Sequence, residues 1–146
     1  MNAAASLATI MSRTLITVSL DDTLEHIAFV LERNGIHHVI VTDEAAQVVG
    51  VISDRDVLRG ASPFIGKLAE RTQDVATLKI RAHQLITRKL CSASETTSIR
   101  EAAHQMLDHG VSCLPILDGA GRALGIVTWR DVLRSLLARD AARFDP

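Results

Sequence analysis

Residues 50–59, Gly50-Val51-Ile52-Ser53-Asp54-Arg55-Asp56-Val57-Leu58-Arg59, recur as Gly125-Ile126-Val127-Thr128-Trp129-Arg130-Asp131-Val132-Leu133-Arg134. The offset that carries Gly50 onto Gly125 also pairs Gly35 with Gly110, Asp43 with Asp118, Leu24 with Ile99, and Ile10 with Leu85. A shift that holds without a gap from position 10 to 59 is an internal duplication, so the chain folds as two like units. Each copy reads as an apolar strand ending in a hydroxyl residue, followed by a helix that opens with Arg and Asp. A half alone, at about 75 residues, is marginal, whereas a chain of this length buries roughly 70% of its unfolded surface. Neither a metal nor a disulfide is required to hold it.

Composition narrows the partners. The 16 basic and 17 acidic side chains give a formal net charge of −1 and are well mixed, so no extended basic face awaits a polyanion. Three Phe, one Trp and no Tyr are too few for the stacking platforms that grip single-stranded nucleic acid. Cys91 and Cys113 sit in apolar runs without CxxC spacing and read as reduced thiols of a cytoplasmic protein. No run has the roughly 18 apolar residues of a membrane span. The N-terminus lacks the basic stretch of a signal peptide.

Taken in order, residues 6–12 predict a helical turn that packs Leu7, Ile10 and Met11, and Leu15–Val18 a short strand. Asp21 or Asp22 is expected to cap the next helix, in which Leu24, Ile27, Ala28 and Leu31 share one face. Gly35 suits the left-handed position that stops it. His38–Thr42 and Val48–Ile52 flank a five-residue connection and predict a hairpin. A short helix then runs to Gly60. In 61–81, Ser62-Pro63-Phe64 predicts a helix start, and Val75, Leu78, Ala82 and Leu85 lie near helical spacing behind Asp74. The second copy repeats the order: a lead-in turn, a weaker strand around Leu90–Ala93, a helix from Ser98 to His109 closed by Gly110, a hairpin over Cys113–Leu117 and Leu124–Val127, and a helix from Trp129 to about Arg143.

The pair Ser53-x-x-Asp56 and Thr128-x-x-Asp131 carries two readings. Structurally each is a capping box, worth about 1 kcal/mol. Chemically, a carboxylate at a first helical turn accepts the vicinal hydroxyls of a ribose. Free N–H groups at the helix start and the guanidinium groups of Arg55 and Arg130 favour a phosphate.

The order of elements, with Gly110-Val111-Ser112-Cys113-Leu114-Pro115-Ile116-Leu117-Asp118 and Gly125-Ile126-Val127-Thr128-Trp129-Arg130-Asp131-Val132, resembles the CBS domain. In the first copy Ser53-Asp54-Arg55-Asp56 matches, while Gly35-Ile36-His37-His38-Val39-Ile40-Val41 lacks the family's proline. Ile10-Met11-Ser12 and Leu85-Ile86-Thr87 resemble its lead-in element. The likeness covers nearly the whole chain and implies a stand-alone tandem pair, or Bateman module. The implied fold is α/β (α+β), with two pseudo-symmetric repeats, each a small β-sheet with helices on one side. The divisions are 1–60 (repeat 1), 61–81 (an inter-repeat helical segment) and 82–146 (repeat 2 with the C-terminal helix). The resemblance further implies two clefts between the repeats. In one, Thr128 and Asp131 meet Ser12, Ile16, Ile36 and His37; in the other, Ser53 and Asp56 meet Thr87, Cys91, Val111 and Ser112. Asp contacts ribose, and the adenine sits among apolar side chains and backbone.

The expectation is a non-enzymatic, cytoplasmic homodimer sensing AMP, ADP or ATP, with S-adenosylmethionine not separable from these by sequence. It needs no cofactor, and an unidentified protein target carries its output. Trp129, the only tryptophan, is expected at the dimer contact. No nucleophile–base spacing or phosphate-loop motif points to catalysis. Adjacent His37 and His38 face opposite ways on a strand, and His104 and His109 are poorly spaced for chelation, so no metal site is expected. His37 or His38 as a phosphate contact stands beside an ordinary strand role. The rival class is an interaction scaffold with empty clefts; nucleic-acid binding is a second alternative.

Overall fold

The computed structural model describes residues 5–86 and 89–144. The chain divides into two compact bodies, Ile16–Leu90 on one hand and Met1–Leu15 with Cys91–Pro146 on the other.

In the Ile16–Leu90 body, β1 (Thr17–Ser19), β2 (His38–Thr42) and β3 (Val48–Ser53) form one sheet in that order, β1 parallel and β3 antiparallel to β2. The central strand β2 is buried continuously at Val39, Ile40 and Val41, whereas the edge strand β3 alternates. A strand covered on both faces needs no polar face, which explains its unbroken β-branched run. Helix α1 (Leu24–Asn34) turns Leu24, Ile27 and Leu31 onto this sheet. Its cap is Thr23, whose hydroxyl accepts the His26 N–H at 3.2 Å, rather than either aspartate. Asp22 instead closes the preceding turn, its carboxylate accepting the Ser19 N–H at 2.7 Å. Helix α1 stops at Gly35 with φ 60°, as expected.

Helix α2 (Asp54–Gly60) follows β3, and the chain then departs from expectation. Residues 63–66 form turns, with no helix at Pro63. The excursion is tied at its base, where Ser62 Oγ donates to Asp74 Oδ1 at 2.6 Å and the Ser62 N–H to Thr77 Oγ1 at 3.0 Å. Asp74 lies inside α3 (Thr72–Ala76), three residues past the cap position, and its carboxylate accepts the Arg71 N–H at 2.8 Å. A single 3-10 turn (Thr77–Lys79) leads to α4 (Ala82–Leu85), which buries Ala82 and Leu85 in the same core.

The second body repeats the plan. Helix α5 (Ile99–His109), capped by a full Ser98–Glu101 box, buries Ile99, Ala102 and Met106. It packs on β4 (Cys113–Leu117), paired antiparallel with β5 (Ala123–Thr128), and α6 (Trp129–Phe144) follows. The weak strand expected near Leu90–Ala93 contracts to one parallel bridge, Ala93 with Ile116. The hairpin turns differ instructively: Gly121 has φ 79°, and its counterpart Ala46 holds φ 60° without glycine's freedom.

The lead-in turns are exchanged. The 3-10 turn Leu7–Thr9 packs in the second body, where Ser6 bridges Ser98 and Leu7 is fully buried. By the same offset, Arg81 bridges Thr23 in the first body. Each repeat is therefore completed by the segment that precedes the other.

Candidate functional site

The two hydroxyl–aspartate motifs sit where a strand runs directly into a helix, β3 into α2 and β5 into α6. In the first, Asp56 Oδ2 receives the Ser53 N–H at 2.8 Å and the Ser53 hydroxyl at 2.9 Å, while Ser53 Oγ accepts the Asp56 N–H at 3.2 Å. In the second, Asp131 Oδ2 receives the Thr128 N–H at 2.9 Å and its hydroxyl at 3.1 Å. One carboxylate oxygen is thus committed to the strand end. The other, Oδ1, meets an arginine one turn on: Arg59 at 3.3 Å from Asp56, Arg134 at 3.5 Å from Asp131. The carboxylates are 19% and 23% exposed against 62% and 78% for their arginines, so Oδ1 faces an exposed counter-ion. Surface pairs of this kind are worth little and exchange readily for another partner.

Arg55 and Arg130, the arginines singled out in the sequence, are both exposed and contact neither carboxylate. Arg55 offers its carbonyl to Arg59 Nε at 3.4 Å, and the Arg130 guanidinium lies 5.8 Å from the Trp129 ring centroid. Arg59 and Arg134 are the residues sequence reading passed over. Their signal was present, since a position three after an acid faces it across one helical turn.

The loops before β2 and β4 are hung on these helix starts. The His37 carbonyl accepts the Asp54 N–H at 2.9 Å, and the Ser112 carbonyl accepts that of Trp129 at 3.0 Å. His37 Nδ1 also lies 2.9 Å from Asp54 Oδ2. That hydrogen bond is the main reason the Asp54 carboxyl is held below its ordinary pKa. Burial, opposed by the nearby Asp54 charge, pushes the His38 imidazole below its ordinary value.

Ile16 and Ile36 pack against the core of the first body, Cys91 and Val111 against that of the second. Burial pushes the Cys91 thiol up, which keeps it protonated. Ser12 is exposed and exchanges backbone hydrogen bonds with Ile126, two residues before Thr128. The structure thus ties His37 to Asp54 at the start of α2, Ser112 to Trp129 at the start of α6, and Ser12 to Ile126 on β5. Thr87 lies outside the described residues. Among the described residues no three His, Cys, Asp or Glu side chains gather as a metal site, and no helix is long and apolar enough to cross a membrane.

Comparison with known proteins agrees with this geometry. The CBS domain family model matches residues 7–62 and 82–138. A CBS domain-containing protein of Dictyostelium discoideum is 35% identical over 132 residues, which make up 88% of each chain. Some longer curated relatives are matched over only a fraction of their length, 19% of a Methanosarcina acetivorans homoserine O-acetyltransferase for example. Among solved structures, the CBS domain pair of protein MJ0100, in complex with 5′-methylthioadenosine and S-adenosyl-L-methionine, superposes with a TM-score of 0.78 at 23% identity, covering 94% of this chain and 99% of that one. CBSX2 in complex with AMP gives 0.74 at 23%, covering 92% and 98%. With the duplication, the paired hydroxyl–aspartate motifs and these matches in hand, the chain belongs to the CBS domain family and carries two CBS domains.

Proposed function

We propose that this chain is a non-enzymatic regulatory module that binds an adenosine-containing ligand, AMP, ADP or ATP, and passes the binding event on through its conformation or a protein partner. Asp56 and Asp131 take the ribose hydroxyls. Ser53 and Thr128 fix those carboxylates, and Arg55 and Arg130 stand ready for phosphate. The observation that carries this is the division of labour within each carboxylate. Oδ2 is locked by two bonds from the strand end, at 2.8 and 2.9 Å in the first motif, and Oδ1 faces an exposed, exchangeable arginine. A cap needs only the first oxygen. Proteins of this fold solved with AMP, with 5′-methylthioadenosine and S-adenosyl-L-methionine, and with ATP support the choice of adenosine. The base-facing residues carried over from the family, Ser12, Ile16, Ile36, Thr87, Cys91, Val111 and Ser112, belong to the same proposal, as does a cytoplasmic homodimer; His37, carried over to the Asp131 cleft by the resemblance, is taken instead with the Asp56 motif, on whose helix start it hangs.

A second reading, a scaffold whose motifs only cap helices, draws on the same boxes, because the Ser53–Asp56 box is complete without any ligand. Thermal shift separates the two. A ligand at 100 times its dissociation constant adds about 2.7 kcal/mol to the folded state. AMP or ATP is expected to raise the melting temperature of the native chain and to leave an Asp56→Asn/Asp131→Asn double variant unmoved. No shift with AMP, ATP or S-adenosylmethionine would leave the scaffold.

A further inference from the structure

The duplication lets each motif serve as control for the other, and their symmetry breaks at one spot. Directly after the hydroxyl residue stands Asp54 in the first repeat and Trp129 in the second; the loop residue hung on it is His37 in one and Ser112 in the other. Resting on the reading of Asp56 and Asp131 as ribose ligands, we propose that the Asp54–His37 pair makes the two motifs select different ligands. The first-repeat motif, where Asp54 offsets Arg55, prefers an adenosine whose 5′ substituent is neutral or cationic, and the second-repeat motif prefers a phosphorylated one.

The argument is one of charge placement. Asp54 Oδ2 lies 2.9 Å from His37 Nδ1, and both side chains are about half exposed, 49% and 56%. The carboxylate therefore stands at the surface of the helix start that also carries Asp56. His37 is the imidazole best placed to meet a phosphate there, and Asp54 occupies its ring nitrogen. The ring's Nδ1 is spent on Asp54, and the carboxylate sets a negative charge beside it. His38 does not compensate, because burial drives it towards the neutral form. Asp54, Arg55, Asp56 and Arg59 together sum to zero. In the second motif Arg130, Asp131 and Arg134 sum to +1, and the uncharged Trp129 ring holds the Arg130 guanidinium 5.8 Å from its centroid. A carboxylate within about 6 Å of a phosphate dianion in a largely aqueous setting weakens binding roughly tenfold. A nucleoside with an uncharged 5′ group escapes that penalty, and a sulfonium gains from the same carboxylate.

Calorimetric titration of the full chain with adenosine, 5′-methylthioadenosine and AMP tests this. Asp131→Asn leaves the first-repeat motif and Asp56→Asn the second; asparagine retains an oxygen for the cap N–H. The Asp131→Asn chain is expected to bind adenosine and 5′-methylthioadenosine about tenfold more tightly than AMP, and the Asp56→Asn chain to reverse that order. Adding Asp54→Asn to Asp131→Asn should raise AMP affinity several-fold relative to adenosine. An Asp131→Asn chain that prefers AMP, or a ratio that Asp54→Asn does not move, overturns the assignment. If both motifs bind all three compounds at one common ratio, the ribose reading stands and only the charge selection falls. If the native chain binds none of them, both fall.

Discussion

Ser12 and Ile126 exchange both backbone hydrogen bonds, N–H to O at 2.9 and 3.0 Å, which fastens the first lead-in segment along the last strand of the second repeat. The approach is possible because residue 125 has no side chain: a Cβ there would collide with the Ser12 carbonyl and sit 2.6 Å from Met11 Cε. Gly125→Ala is therefore expected to destabilise the protein by about 1–3 kcal/mol, the range for overpacking a filled site. Gly119→Ala, with nothing within 4 Å of its added Cβ, should stay within about 0.5 kcal/mol of the native chain. Urea unfolding of the two variants checks the contrast, and equal losses would mean the strand and lead-in are not held together as described.

Ala46 occupies the left-handed position that Gly121 fills in the other hairpin, at φ 60° against 79°. An L-residue there is strained by about 1–2 kcal/mol, while glycine loses about 0.5–1 kcal/mol through the entropy of the unfolded chain. Ala46→Gly should accordingly raise stability by up to about 1 kcal/mol, and Gly121→Ala should lower it by a similar amount. A pair of thermal melts is sufficient. Opposite signs are the expected outcome.

Ser53 gives its hydroxyl both to the Asp56 carboxylate and, as acceptor, to the Asp56 N–H. Ser53→Ala removes both and is expected to cost about 1 kcal/mol, whereas Ser53→Thr should keep most of it. Arg59→Met breaks the exposed contact to Oδ1, 3.3 Å long, and the 3.4 Å bond to the Arg55 carbonyl, and should change stability by less than about 0.5 kcal/mol. If the proposed ribose contact is right, Arg59→Met also unmasks Oδ1 for a nucleoside. Denaturation and titration of the same three variants therefore separate the cap from the site.

What the sequence made legible follows the range over which each feature is decided. The alternation of apolar residues and the stop signals at Gly35 and Gly110 are local, and the helices between them appear as expected, closing on φ 60° and 62°. Capping depends on one residue's choice among neighbours. Thr23 won over Asp22 because the Asp22 carboxylate already serves the Ser19 N–H. Pro63 satisfies the local rule for a helix start, yet the Ser62–Asp74 bond, twelve residues long in sequence, folds the segment back into turns. The exchange of lead-in turns is decided wholly by tertiary packing. Its one trace in the sequence was a glycine at both 50 and 125, where Ile86 and Met11 respectively press against the strand. The site was legible in its acids and hydroxyls, which a spacing rule exposes, and not in Asp54–His37, a pair seventeen residues apart that only the fold brings into contact.

Acid should weaken this fold in two stages, because its shifted histidine and carboxylates act in one direction. His38 is held below the ordinary 6.5 chiefly by burial, the Asp54 charge opposing. Its contribution is complete above 6.5 and is lost as pH falls from there through the folded value, because the unfolded chain takes up the proton first. The carboxylates follow. Asp118 is held below 3.8 by the backbone N–H groups of Arg122 and Ala120, Asp74 by the Ser62 hydroxyl and the Arg71 N–H, and Asp54 by His37. Glu101 is held below 4.5 by the Ser98 N–H and hydroxyl. A depressed carboxylate gives its full stabilisation above the unfolded value and surrenders it as pH falls through the folded one. Urea midpoints should thus be level between 6.5 and 9.0, the value above which the unfolded Cys91 thiol ionises, decline gently below 6.5, and drop steeply once pH passes below 3.8. His38→Gln is expected to flatten the upper decline and leave the lower one in place. Asp118→Asn, which keeps an oxygen for the two N–H groups but has no proton to take up, should soften only the lower. A midpoint that stayed constant across both ranges would show that none of these hydrogen bonds is formed with the charged group.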